Sequence, residues 1–283
     1  MNRLTIFFDL LRFLFLAVLR IMARCFCRFH VEHVRSGAVD SSAAAATDAN
    51  SWEIIKSNGG ARNVRLVVIL NHTSLFEPVY CGVLPWSIVW RIASGAVFPA
   101  ADITWNRPIV GRIMQLMAPG VIPVSRERDA TWDNFVTVAS GKGHLHRPLV
   151  MILPEGRMKR PNGLDKHGKA MTIRGGVADV LAEMDDGLML VTYSGGLHQL
   201  HVPGQGRPNL FSHLAVGFEV VPIAAYRDEL RQRSAQISSG AVKGDPFKIA
   251  VIQDLEARRD RHCPRLEALC HSAKKGSAPG AEF

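Results

Sequence analysis

The chain of 283 residues is long enough for one large domain or two small ones, and 47% of it is apolar against 21% charged, which excludes disorder over most of its length. A formal charge of +9 favours an anionic partner (nucleic acid, a phosphorylated substrate or an anionic membrane face) without choosing among them. Five scattered cysteines and eleven histidines show no zinc-ligand spacing, so free thiols in a reducing compartment, the cytoplasm, are expected, with no metal site.

The N-terminus opens with an apolar stretch, Leu4 to Met22, interrupted by Asp9, Arg12 and Arg20. On a helical wheel these three and Arg24 gather within roughly a third of the circumference. Phe7, Leu11, Leu14, Phe15, Val18 and Met22 cover the opposite side. That pattern predicts a helix lying in a membrane interface, arginines toward lipid phosphates and apolar side chains among acyl chains. A true span and a core helix of a soluble domain are the competing readings. The expected organisation is an anchoring helix over 1–28, an α/β domain over 29–250, and a C-terminal helix with a disordered tail over 251–283.

Short strands are predicted at Phe29–Val34 and Trp52–Lys56, separated by a low-complexity Ser/Ala/Asp loop at 41–50. After the Asn58-Gly59-Gly60 turn comes the buried-looking strand Val64–Leu70. A helix is read from Phe76 to Leu84, a strand over Ile88–Ala93 and a helix over Trp105–Met117. Gly120 to Arg126 reads as a strand, Thr131–Ser140 as a helix and Leu149–Leu153 as a strand. Helix Met171–Met184, strand Leu188–Tyr193 and the long run Ala215–Tyr226 follow. Pro222 suggests an edge or a break in that run, and a last helix is expected from Asp254. Strands alternating with helices predict an α/β fold, a single mixed sheet flanked by helices.

Three polar sites follow the carboxyl ends of predicted strands, where open α/β sheets bind ligands. The first is Asn71-His72-Thr73-Ser74-Leu75-Phe76-Glu77-Pro78. A carboxylate reaching back to an imidazole fixes its tautomer and raises its basicity, and His72 then needs no Ser or Cys nucleophile to deprotonate a substrate hydroxyl. The bland alternative is a polar histidine that ends a strand. The second site is Arg126 and the third Glu155-Gly156-Arg157; alone they read as a surface ion pair and a plain turn. Together they suit a substrate with a reactive hydroxyl and a phosphate, which a guanidinium holds through a planar fork.

These residues resemble the glycerophospholipid acyltransferases, the 1-acylglycerol-3-phosphate acyltransferase family with its H-x4-D motif. The family's Asn-His-x-Ser-x-x-Asp-Pro is similar to 71–78, its Gly-x-Ile-x-Val-x-Arg to Gly120–Arg126, and its Phe-Pro-Glu-Gly-Thr-Arg-Ser to Leu153-Pro154-Glu155-Gly156-Arg157. The likeness covers about Phe29 to Tyr226, and an N-terminal membrane-binding segment is usual in the family. It implies His72 as general base and Glu77 as the carboxylate that holds it. Arg126 and Arg157 would bind the acceptor phosphate, with Glu155 and Gly156 shaping the pocket. The acceptor would be an anionic lysophospholipid at a membrane surface on the cytoplasmic face, and the donor acyl-CoA or acyl–acyl carrier protein. No metal or redox cofactor is implied. The chain departs from the pattern at Glu77, where Asp is usual, and at Arg157-Met158, where Thr-Arg is usual. The family's fourth motif matches Val221-Pro222-Ile223 by letters but Leu190–Tyr193 by position. Another lysolipid acceptor, such as a lyso-aminolipid, and a weakly active lipid-binding homologue are the alternatives. Nucleic-acid binding lacks the interleaved aromatics it would need.

Overall fold

The Val-rich run Val64–Leu70 forms β2, the central strand of a seven-stranded sheet. Apart from Arg65, which is buried and bonded to Asp186, the run is apolar, as a strand covered on both faces needs. Leu66, Val68 and Leu70 enter one core with Phe135, Leu181 and Tyr226; Val64 and Val67 enter the other with Leu16, Ile88 and Ile92. The computed structural model describes residues 3–35, 50–106, 108–125, 129–143, 146–202, 205–237 and 244–276.

In chain order the elements are α1 (Arg3–Phe26), β1 (Cys27–Val34), α2 (Ser51–Ser57), β2, a 3₁₀ segment (Glu77–Val83), α3 (Trp86–Gly95), β3 (Ala96–Ala101), α4 (Asp102–Trp105), α5 (Pro108–Met117), β4 (Gly120–Val124), α6 (Ala130–Ala139) and β5 (Leu149–Ile152). They continue with α7 (Gly176–Ala182), β6 (Leu188–Gly195), α8 (Leu197–Leu200), β7 (Ser212–Pro222), α9 (Ile223–Ile237) and α10 (Pro246–Gly276). The strand order is β1-β7-β6-β2-β5-β3-β4. β2 runs parallel to both β5 and β6, whereas β7 is antiparallel to β6 and pairs in parallel with β1. The mixed sheet with flanking helices agrees with the predicted fold class.

Several local expectations need correction. Trp52–Lys56 lies in helix α2, because Asn50 caps it: its side-chain oxygen accepts from the N–H groups of Trp52 and Glu53 at 2.9 and 3.1 Å. Ile88–Ala93 lies in helix α3, where Ile88, Val89, Ile92 and Ala93 are buried at helical spacing. The strand falls instead on Ala96–Ala101. The segment after Phe76 is 3₁₀ and not α-helical, and α7 is shorter than the predicted Met171–Met184 helix. Of the two readings of Pro222 the break holds and the edge does not: β7 lies between β1 and β6, and Pro222 ends it before α9 begins at Ile223. Most of the low-complexity loop (41–49), Arg126, and 277–283 of the predicted tail lie outside the described residues.

Helix α1 packs on the 3₁₀ segment, α3 and α5 with its polar side inward. Arg20 is buried and donates to the carbonyl oxygens of Cys81 (3.0 Å), Gly82 (3.1 Å) and Leu84, with its guanidinium 4.6 Å from the Trp86 ring centre. Arg24 donates to Gly82 O at 2.8 Å, and Asp9 pairs with Arg12. The expected orientation of Arg20 and Arg24 toward lipid phosphate is therefore wrong. Carbonyls at the end of the 3₁₀ segment, of which only Cys81 O has a backbone donor there, claim these guanidiniums. Leu4, Phe7, Leu11, Leu14, Val18 and Met22 are left exposed. Among the described residues no helix is long and apolar enough to cross a membrane. Arg20→Ala strands Leu84 O, while Cys81 O keeps the Leu84 N–H and Gly82 O keeps Arg24, and is expected to cost about 1–3 kcal/mol, read as a lowered chemical-denaturation midpoint.

Candidate active site

The carboxyl ends of β2, β5 and β6 lie side by side, because Val68 pairs with Ile152 and Leu70 with Tyr193. The first and third motifs therefore emerge at one edge of the sheet. Asn71 turns the chain there with φ 72°, a left-handed conformation that Asn tolerates better than most residues. Its side-chain nitrogen donates to Ser194 O at 2.8 Å and to Glu267 Oε1 at 3.2 Å. Ser194 Oγ donates back to the carbonyls of Leu70 and Asn71 at 3.1 and 3.0 Å.

His72 Nδ1 lies 2.8 Å from Glu77 Oε1. The same oxygen accepts the N–H groups of Thr73 and Ser74 at 3.1 and 3.0 Å, so it is an acceptor throughout. Nδ1 must then carry the proton, which leaves Nε2 as the basic nitrogen. No described residue bonds Nε2, and the imidazole is 16% exposed. Burial pulls the His72 pKa down, but the Glu77 charge, its hydrogen bond and the charge of Glu155 outweigh this and leave it raised.

Glu155 is buried, and its two oxygens accept the backbone N–H groups of Asn71 (3.2 Å) and His72 (2.7 Å). Arg259 Nη1 sits 3.6 Å from the same carboxylate. Burial raises the Glu155 pKa against the opposing influence of those N–H groups and of Arg259. Glu155 thus clamps the backbone that carries the histidine. Gly156 has φ 62°, and a Cβ there would meet Arg174 Cδ at 3.3 Å. Lys159 N–H donates to His72 O at 2.7 Å, fastening the third motif to the first a second time. Arg157 pairs with buried Asp165. The backbone N–H groups of Lys169 and His167 and the Arg157 guanidinium lower the Asp165 pKa to about 2. Beside Glu155 lies a cleft of about 290 Å³ lined by Lys159, Met171 and Arg259 among others.

The predicted residues His72, Glu77, Glu155, Gly156 and Arg157 are brought together. Arg126 is outside the described residues, and β4, which precedes it, lies three strands from β2, roughly 14 Å at the usual strand spacing. The two segments that match the family's fourth motif, by position and by letters, lie in different places. Leu190–Tyr193 pairs with β2 near the site, whereas Pro222 pairs with Leu188 at the far end of β6. Arg259 and Glu267 were missed. Both come from α10, which Arg258 locks to the sheet through an ion pair with Glu219 of β7, while a 2.6 Å bond to Asp254, one turn earlier on the same helix, holds the guanidinium in place. Nothing in the sequence near 259 or 267 signals the role.

The acyltransferase family model matches residues 53–197, and the chain belongs to that family. The match agrees with the resemblance read from the three motifs. The chain is also similar to the crystal structure of the 1-acyl-sn-glycerophosphate (LPA) acyltransferase, PlsC, from Thermotoga maritima. Identity there is 15% and the TM-score 0.48, over 94% of this chain and 88% of that one. None of the curated proteins compared with the chain matches it.

Proposed function

We propose that the protein transfers a fatty acyl group from an acyl thioester to the free hydroxyl of a lysophospholipid, with 1-acyl-sn-glycerol-3-phosphate giving phosphatidic acid as the first candidate. The observation that carries this reading is His72 held by Glu77, with Nε2 unbonded among the described residues. Nε2 takes the proton of the acceptor hydroxyl as its oxygen attacks the thioester carbonyl. The C–O bond forms, the C–S bond breaks, and the departing thiolate takes the proton from the imidazolium. The donor is acyl-CoA or acyl–acyl carrier protein, and the chemistry needs no metal or redox cofactor. Arg126 and Arg157 serve the acceptor phosphate beside Gly156, while Glu155 shapes the pocket by holding the backbone of Asn71 and His72.

The exposed apolar side of α1 supports a membrane-associated enzyme on the cytoplasmic face, with α1 lying in the interface. A lyso-aminolipid acceptor is favoured by one observation, that Arg157 is already neutralised by Asp165. Purified protein with labelled acyl donors and a panel of lysolipids, scored by product mass, separates the two. No acylated product from any acceptor would leave the lipid-binding reading.

The raised His72 pKa sets the pH profile. The base form fills only as pH climbs past the ordinary histidine value of about 6.5, so kcat/KM should rise with a midpoint above it. Glu77→Gln removes the largest raising influence and leaves burial opposed only by the smaller influence of the Glu155 charge, which should move the midpoint of the residual activity below 6.5. A midpoint unmoved by this substitution counts against His72 as the titrating base.

A further inference from the structure

The connection from β6 to β7 holds two large apolar side chains in solvent. Leu210 is 55% exposed and Phe211 58%. Phe211 also has φ 59°, a left-handed conformation that costs a bulky residue about 1–2 kcal/mol. The fold therefore accepts backbone strain at a phenyl ring that buries little, a pairing found where function constrains the chain. Phe211 N–H donates to Phe26 O at 2.6 Å, and the two rings lie 6.2 Å apart, so this tip is fastened to the end of α1. The connection starts at His201, whose ring packs 4.7 Å from that of Phe76, in the turn that carries His72.

The surrounding charge identifies the occupant. Arg28 and Arg207 are exposed nearby in sequence. No Asp or Glu occurs between Asp186 and Glu219, or from Leu10 to Val31. An apolar tip with flanking cations and no carboxylates in its own segments complements an anionic bilayer: rings enter the acyl boundary while guanidiniums meet phosphates.

We propose that Leu210 and Phe211, with Phe26, form a second membrane contact that enters the interface of an anionic phospholipid bilayer beside α1. The inference rests on the reading that α1 meets a membrane. A single helix lying in an interface leaves the protein free to tilt, one helix end rising from the lipid. A second contact near its end limits that tilt and, through the His201–Phe76 contact, couples the orientation of the catalytic turn to the lipid surface.

The test is co-sedimentation of the full chain with phosphatidylcholine vesicles, with and without phosphatidylglycerol, alongside turnover of a short-chain lysolipid below its micelle concentration. The double variant Leu210→Ser, Phe211→Ser should bind anionic vesicles about ten- to a hundredfold more weakly and acylate the soluble acceptor at the wild-type rate. Phe211→Gly should raise the thermal midpoint by relieving strain and still weaken vesicle binding. Unchanged vesicle binding in the double variant overturns the proposal. Loss of turnover on the soluble acceptor also overturns it, since the tip would then serve the reaction or a protein partner. Wild-type protein that ignores vesicles overturns it together with the reading of α1. Failure of the acyltransferase reading shows separately, as wild-type protein that binds vesicles and acylates nothing.

Discussion

His72→Ala should lower kcat by about two to four orders of magnitude, the usual worth of a positioned general base, while the protein stays folded. The fold should survive because the structural bonds at this position belong to the backbone. His72 N–H reaches Glu155 and His72 O accepts from Lys159 whatever side chain is present. Glu77 also keeps two of its three donors, the N–H groups of Thr73 and Ser74. A loss within about 1 kcal/mol corresponds to a fall of roughly 2–4 °C in the thermal midpoint for a chain of this size. Turnover and melting measured on one preparation check both halves. Near-normal activity in a folded His72→Ala protein would remove His72 from the mechanism.

Glu77 carries the second large effect, and the structure changes what its extra methylene means. Set against the family pattern, Glu in place of Asp looks like a weakened pair. Here the carboxylate reaches Nδ1 at 2.8 Å while accepting from two backbone N–H groups, so the longer side chain fits this turn. Glu77→Gln should cut kcat by at least about two orders of magnitude, as losing the orienting carboxylate does in catalytic triads. Glu77→Asp should lower activity too. The carboxylate would retreat by about one C–C bond, roughly 1.5 Å, and the contact with Nδ1 would exceed hydrogen-bond range. A large gain of activity in Glu77→Asp would show that the natural pair is impaired, and would favour a lipid-binding protein.

What the sequence made legible was mostly local. The run from Val64 to Leu70 and the histidine–carboxylate pair after it lie within fifteen residues of one another. Their meaning needs one strand and one turn. Short apolar runs were harder, because four to six residues of Ile, Val and Trp satisfy both a buried strand and a helix face. Trp52–Lys56 and Ile88–Ala93 became helices on the strength of Asn50 as a cap and a burial pattern with helical spacing. In β3, Ala96-Val97-Phe98-Pro99-Ala100-Ala101 carries too little β preference to announce itself, and its pairing with β4 and β5 makes it a strand. The polar stripe on α1 was visible, but the side it faces depends on which unpaired carbonyls lie nearby. Arg259 and Glu267 were out of reach for a similar reason. Their partners, Glu155 and Asn71, lie more than a hundred residues earlier, and α10 is docked by contacts that no local pattern encodes.

The pairing of β1 with β7 has a consequence for biosynthesis. Cys27 lies opposite Ser212, so β1 waits during synthesis for a partner about 185 residues later. At ordinary elongation rates that wait is roughly ten to forty seconds. Throughout it β1 lacks the strand it pairs with, and the sheet cannot close on that side. Contacts this distant also slow the final folding step, since the long intervening segment must be confined before any pairing compensates. β1 is thus a strand that the sheet cannot take up until β7 has been made.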